Sequence, residues 1–197
     1  MLRYVRRVRA GRRHRQAQWV RLAAVAALVP LLNGCAMLGG LSTPTQTSPQ
    51  TMTVSSPVFG SNVPLPTIYT CHGPGLSPPL QWSGASKPVP KSYAIVVDSS
   101  QAPITPYVYW VVFDISPTTV AIGQSQLPTG ARQADNSAGK AGYDSPCPTR
   151  SAHEYRFTVY ALNAVIKLPN GVGLRQAWSA IASHVIASGR LTANAFP

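Results

Sequence analysis

The chain alternates short apolar runs of strand length with breaks rich in proline and glycine. Ser92 to Asp98 (Ser-Tyr-Ala-Ile-Val-Val-Asp) is β-branched and closed by polar residues, the pattern of a buried strand. Tyr107 to Ile115 is apolar on both faces, which predicts a central strand. Tyr155 to Leu162 is a third clear strand, shorter β-prone stretches lie at 53–59 and 118–122, and 68–70 leads into the turn cluster Cys71-His72-Gly73-Pro74-Gly75. Leu76 to Trp82 contains Pro78-Pro79, which withhold two backbone donors; an edge strand or extended segment is expected there, not a central strand. The polar, glycine-containing stretch 123–142 reads as a long loop. The period changes once. Leu174, Trp178, Ile181 and Val185 recur at helical spacing, predicting a helix over 174–187 with Gly189 as its stop and His184 in its last turn as a structural or surface residue. Several strands, proline turns and one late helix describe a mainly β fold, an antiparallel β-sandwich with a C-terminal α-helix.

The N-terminal segment has a different pattern. Met1 to Arg21 is arginine-rich and free of acids, and Leu22 to Leu32 is apolar but shorter than the roughly 20 residues a bilayer span needs. A basic region followed by a short apolar core is the layout of an export signal. Leu32-Asn33-Gly34-Cys35 resembles a bacterial lipobox, in which Cys35 is lipidated and becomes the mature N-terminus. A plain secretory signal and an uncleaved anchor are the other readings. The expected organisation is a signal peptide over 1–34, the lipidated Cys35 and an uncharged Gly/Ser/Thr/Pro tether to residue 53, and a folded domain over 54–197. Each buried acyl CH₂ contributes about 0.8 kcal/mol, and more than one chain anchors stably. The domain would be held at the cell membrane, facing away from the cytoplasm.

Charge looks informative until it is located. The formal net charge is +12, but eight of the 17 basic residues precede position 35. Nine basic residues remain against five acidic ones, a net +4, ordinary for a soluble domain. With no basic stripe carrying interleaved aromatics, a nucleic-acid partner is not expected. With Cys35 assigned to the anchor, Cys71 and Cys147 are left. An even pair in an exported domain reads as a disulfide, with free buried thiols as the other reading. Neither cysteine has metal-site spacing, so neither a metal nor a cofactor is expected. His153 and Asp98 supply two thirds of a hydrolytic triad, but no serine sits in a nucleophile-elbow sequence, so no catalytic residue is nominated.

Several short motifs occur in a fixed order: Cys71-His72-Gly73, Leu76-Ser77-Pro78-Pro79-Leu80-Gln81-Trp82, Asp98 with Ala102-Pro103, Tyr109-Trp110, and Pro146-Cys147-Pro148 followed by His153 and Tyr155. Together they resemble the phosphatidylethanolamine-binding protein family in its bacterial, Raf-kinase-inhibitor-like branch, over about Val54 to Phe196. The resemblance implies a Greek-key sandwich with a small anion pocket at one end, accepting phosphate-like or carboxylate head groups. By position it implies a pocket of Asp98, Tyr109, Trp110, Ser145, Pro146, His153 and Tyr155, and a cis bond at Ala102–Pro103. It also favours joining Cys71 to Cys147.

The departures from the family pattern are specific. The family's Asp-Pro-Asp-Ala-Pro is here Asp98-Ser99-Ser100-Gln101-Ala102-Pro103, one residue longer and short of one acid. The histidine before the tryptophan is Tyr109, and the glycine before the proline is Ser145. Two functions follow. One is a membrane-anchored exported binding protein for a small anion or phospholipid head group. The other is a protein-interaction or enzyme-inhibitor module with a degenerate pocket.

Overall fold

The computed structural model describes residues 50–85, 87–99, 106–148 and 154–194. The expected signal, lipobox and most of the tether lie outside them, as do Ala102–Pro103 and His153. The strands are β1 (Gln50–Thr51), β2 (Thr53–Ser55), β3 (Val63–Pro64), β4 (Leu80–Ser83), β5 (Ser92–Ser99), β6 (Val108–Ile115), β7 (Ala121–Ile122), β8 (Arg132–Gln133), β9 (Glu154–Leu162) and β10 (Val185–Asn194). A 3₁₀ turn covers Thr67–Tyr69, and the helix α1 covers Leu174–Ala182.

Two sheets pack face to face. The larger has the order β1-β10-β9-β5-β6-β8, with β3 also pairing β10; the smaller is β2-β4-β7. Within the larger sheet β5, β6 and β8 follow one another antiparallel, and β9 returns to lie beside β5. That spatial order is a Greek key. Ile95, Val97, Val112, Phe157 and Val159 meet Leu80 and Trp82 between the sheets. On the opposite face, Ala94, Val96, Val111, Phe113 and Leu162 pack with Ala177 and Ile181 of α1. A sheet covered on both sides explains why β5, β6 and β9 read as nearly continuous apolar runs.

The structure departs from the sequence expectation in several places. β6 is not central: beyond it lies only the two-residue β8, which is contained in the predicted long loop. Its two apolar faces follow from layers above and below, not from its place in the sheet. β4 is the middle strand of the small sheet, because pairing with β2 and β7 begins at Leu80, after both prolines. The folded part begins before residue 54: β1 pairs with β10, and Met52, read as tether, is only 4% exposed.

The largest difference is at the C-terminus. The helix stops at Ala182 and the chain turns into β10, whose buried positions 187, 189, 191 and 193 recur with period two. Gly189 is therefore no helix stop. It sits mid-strand where the backbone of Met52 crosses, and an added Cβ would run into the Met52 carbonyl. The amide of Met52 donates to Ser188 O at 2.8 Å, which fixes that close approach.

Candidate functional site

Antiparallel pairing carries the C-terminal end of β5 and the N-terminal ends of β6 and β9 to the same end of the sandwich. Ser99 lies opposite Tyr155 in register. On β6 the register slips: Val97 pairs with Trp110 and Asp98 with Val108, so Tyr109 is the extra residue of a β-bulge. A bulge re-aims a side chain, and here it lets Tyr109 and Trp110, adjacent in sequence, both pack against the inter-sheet core. The ring of Tyr109 meets fully buried Tyr155 edge-on at 5.7 Å, and the Tyr107 ring lies 4.7 Å from it, tilted.

The loop from Tyr143 closes over these strand ends. The Asp144 amide donates to Tyr109 O at 2.8 Å, and the Tyr107 hydroxyl donates to Asp144 Oδ2 at 2.6 Å. Tyr143 donates to Tyr69 O at 2.9 Å. Cys71 and Cys147 are joined in a disulfide with Cα atoms 5.1 Å apart, and the Cys71 amide donates to Pro146 O at 2.9 Å. The loop is thus pinned to the turn after the 3₁₀ segment. Ser145 occupies space that only a glycine leaves: a Cβ on Gly75, which has φ +67°, would lie 2.9 Å from Ser145 Oγ.

Tyr107, Tyr109 and Tyr143 lie near the Asp144 carboxylate and Tyr155 beside Tyr109, and all four hold their protons more tightly than usual. The hydrogen bond to Asp144, with burial, pushes Tyr107 up to about 12. Burial raises Tyr143 and Tyr155 further, and neighbouring phenols add to it. Burial also raises Tyr109, against an opposing hydrogen bond from the Ser99 hydroxyl. At neutral pH these groups are O–H donors, not phenolates.

Of the expected pocket residues, the structure brings together Tyr109, Tyr155 and the Ser145–Pro146 loop. Trp110 stands behind them: it is buried, edge-on to Tyr143 at 5.8 Å, and its N–H donates to Gln133 Oε1 at 2.6 Å. Asp98 is not with them. It follows Ala94 and Val96 in the strand alternation and faces the helix side of the sheet. There Arg156 grips it with two hydrogen bonds, Nε to Oδ1 at 2.7 Å and Nη2 to Oδ2 at 2.8 Å. The next residue, Ser99, shares the face of Val97 and Tyr155. Counting back three residues from Ala102-Pro103 also lands on Ser99, so the one-residue excess was the available signal. Asp144 and Tyr107 carry no sequence signal; only the folded loop brings them into contact.

Comparison with known proteins places this geometry. The family model for phosphatidylethanolamine-binding protein matches residues 55–196. The chain belongs to the phosphatidylethanolamine-binding protein family. A UPF0098 protein of Mycobacterium tuberculosis (strain ATCC 25618 / H37Rv) is 39% identical over 150 residues, covering 75% of this chain and 72% of that protein. From the same strain, a protein named "Putative lipoprotein LppC" is 35% identical over 182 residues, covering 84% of this chain and 90% of its own length. Two crystal structures share the fold. The phosphatidylethanolamine-binding protein homolog CT736 of Chlamydia trachomatis aligns with TM-score 0.66 and 31% identity, over 74% of this chain and 97% of that one. E. coli YbcL aligns with TM-score 0.67 and 28% identity, over 73% and 96%. None of these names is that of an enzyme. As a member of the phosphatidylethanolamine-binding protein family, the chain departs from the motif pattern with Ser99 in line with the first acid and Tyr109 for histidine. Both substituted side chains are neutral hydroxyl groups.

Proposed function

We propose that this protein is an exported binding protein, anchored at the membrane through lipidated Cys35. In this reading the end of the sandwich near Ser99, Tyr109 and Tyr155 holds a small anion or phospho head group. The observation that carries the reading is the convergence of Ser99, Tyr109 and Tyr155 from three strand ends, under a loop tied down by Cys71–Cys147. Neutral hydroxyl donors bind an anion through hydrogen bonds without the charge assistance of an imidazolium, so the site is a weaker anion receptor than one with two histidines. His153, carried over from the family resemblance, adds an imidazole N–H donor. Support for the anchor comes from the lipobox-like Leu32-Asn33-Gly34-Cys35 and from the lipoprotein name of one relative. Among the described residues no helix is long and apolar enough to cross a membrane.

Titrating inorganic phosphate into the full-length protein, followed by amide NMR, tests the pocket. Saturable shifts at Ser99, Tyr109 and Tyr155, weakened in His153→Ala, are expected. No shift at these residues would favour the other reading, an interaction module whose rings fill the site. The anchor has its own test: Cys35→Ala should move the protein out of the membrane fraction, and unchanged membrane association would remove that part of the proposal.

A further inference from the structure

The helix is too short to cover the outer face of the large sheet. Nine residues of α1 reach about 13 Å, whereas nine residues of β9 reach about 30 Å. The helix packs with Ala94, Phe113 and Leu162 toward one end. Toward the other, a groove of about 650 Å³ remains between sheet and helix. Its volume falls in the range of small-molecule sites, roughly 300–1,000 Å³. Val96, Val108 and Val111 line the sheet side, and Leu174 and Trp178 the helix side. Trp178 belongs to the predicted helical stripe, yet it is 44% exposed, with its ring edge-on to Tyr160 at 5.6 Å.

The charge of the groove is one-sided. Its carboxylate, Asp98, is taken up by both prongs of Arg156. Arg175 and Arg190 also line the groove. Arg190 uses Nε on Thr158 Oγ1 at 3.0 Å, and neither guanidinium is paired with a described carboxylate. Apolar walls, an exposed tryptophan and two guanidinium groups form the recognition surface for an aromatic body with one negative group, since a guanidinium fork matches a carboxylate. We propose that this groove binds a small aromatic carboxylate, its ring against Trp178, Tyr160 and the valines and its carboxylate on Arg175 and Arg190. The site is independent of the hydroxyl cluster described above, which lies on the opposite face of the same sheet.

The test uses the full-length protein, with indole-3-acetate and its uncharged amide as probes, followed by amide and indole NMR. Indole-3-acetate should give saturable shifts at Val96, Val108 and Trp178. The amide should bind at least about tenfold more weakly, and Arg190→Gln should raise the Kd for the acid at least about tenfold. Arg175 is exposed and is not ion-paired with a described carboxylate, so Arg175→Gln keeps the test valid if Arg190→Gln is unstable; it should weaken the acid and leave the amide unchanged. Equal affinity for acid and amide would overturn the proposal. So would shifts confined to Tyr109 and Tyr155, or the absence of saturable shifts up to about 10 mM probe.

Discussion

Tyr109 owes its position to a single extra residue in β6. Without the bulge between Val108 and Trp110, strand alternation would place Tyr109 on the helix side, and its contact with Tyr155 would be lost. The same alternation decides between Asp98 and Ser99. Motif matching selects the acid, but the backbone period puts it on the far face, bound to Arg156. Residue types at this site were therefore legible in the sequence, and the one-residue excess before Ala102-Pro103 signalled Ser99. The facing of Tyr109 was not legible, because it depends on a bulge that has no composition signal. The clustered phenols make a measurable claim. Their folded-state pKa values lie above the ordinary 10.0, so the protonated form is favoured by folding. Their contribution is complete below about pH 10 and is lost as pH rises through the folded values. In that window each buried tyrosine removes about 1.4 kcal/mol of stability per pH unit. Urea midpoints should hold steady from pH 7 to 9 with respect to these groups and then fall, less steeply in Tyr155→Phe. A midpoint unchanged at pH 11 would contradict the burial of these hydroxyls.

At the scale of elements, β5, β6, β9 and α1 were readable because period and length agreed. β10 was not. Ile181 and Val185 continue a four-residue spacing past the true helix end, while the strand period runs through the small residues Ala187, Gly189 and Ala193. Small residues carry little hydrophobic contrast, so the helical signal dominated. Gly189 was read as punctuation although its role is steric. Replacing it with alanine would push a Cβ into the Met52 backbone, and Gly189→Ala should lower stability by about 1–3 kcal/mol, measured by denaturant unfolding. An unchanged midpoint would mean that the Met52 backbone does not cross there. The disulfide is an element-scale feature that cysteine counting did find. It closes 76 residues of chain and ties the turn at Cys71 to the loop at Cys147. Cys147→Ser should cost about 2–5 kcal/mol. Amide exchange in that variant should rise first around Asp144–Pro146; a rise spread evenly through the sandwich would count against a local pin.

For the whole molecule, the two faces of one sheet carry different chemistry. The inter-sheet side ends in a cluster of hydroxyl groups beneath a tied loop, and the helix side ends in an arginine-flanked apolar groove. Fold class was accessible from the sequence because strand periods pointed to a β-sandwich and the family resemblance implied its Greek-key order. The groove was not accessible, because it arises from a mismatch between helix length and strand length that no motif records. The central claim is that the family pocket survives here with Ser99 and Tyr109 in its wall. The most direct measurement is a crystal structure of the protein grown with phosphoethanolamine. The expected result is the phosphate group within hydrogen-bond distance of the Tyr109 or Tyr155 hydroxyl, at the end where β5, β6 and β9 meet. Phosphoethanolamine bound only in the groove beside Trp178, or an end of the sandwich closed by packed rings, would contradict it.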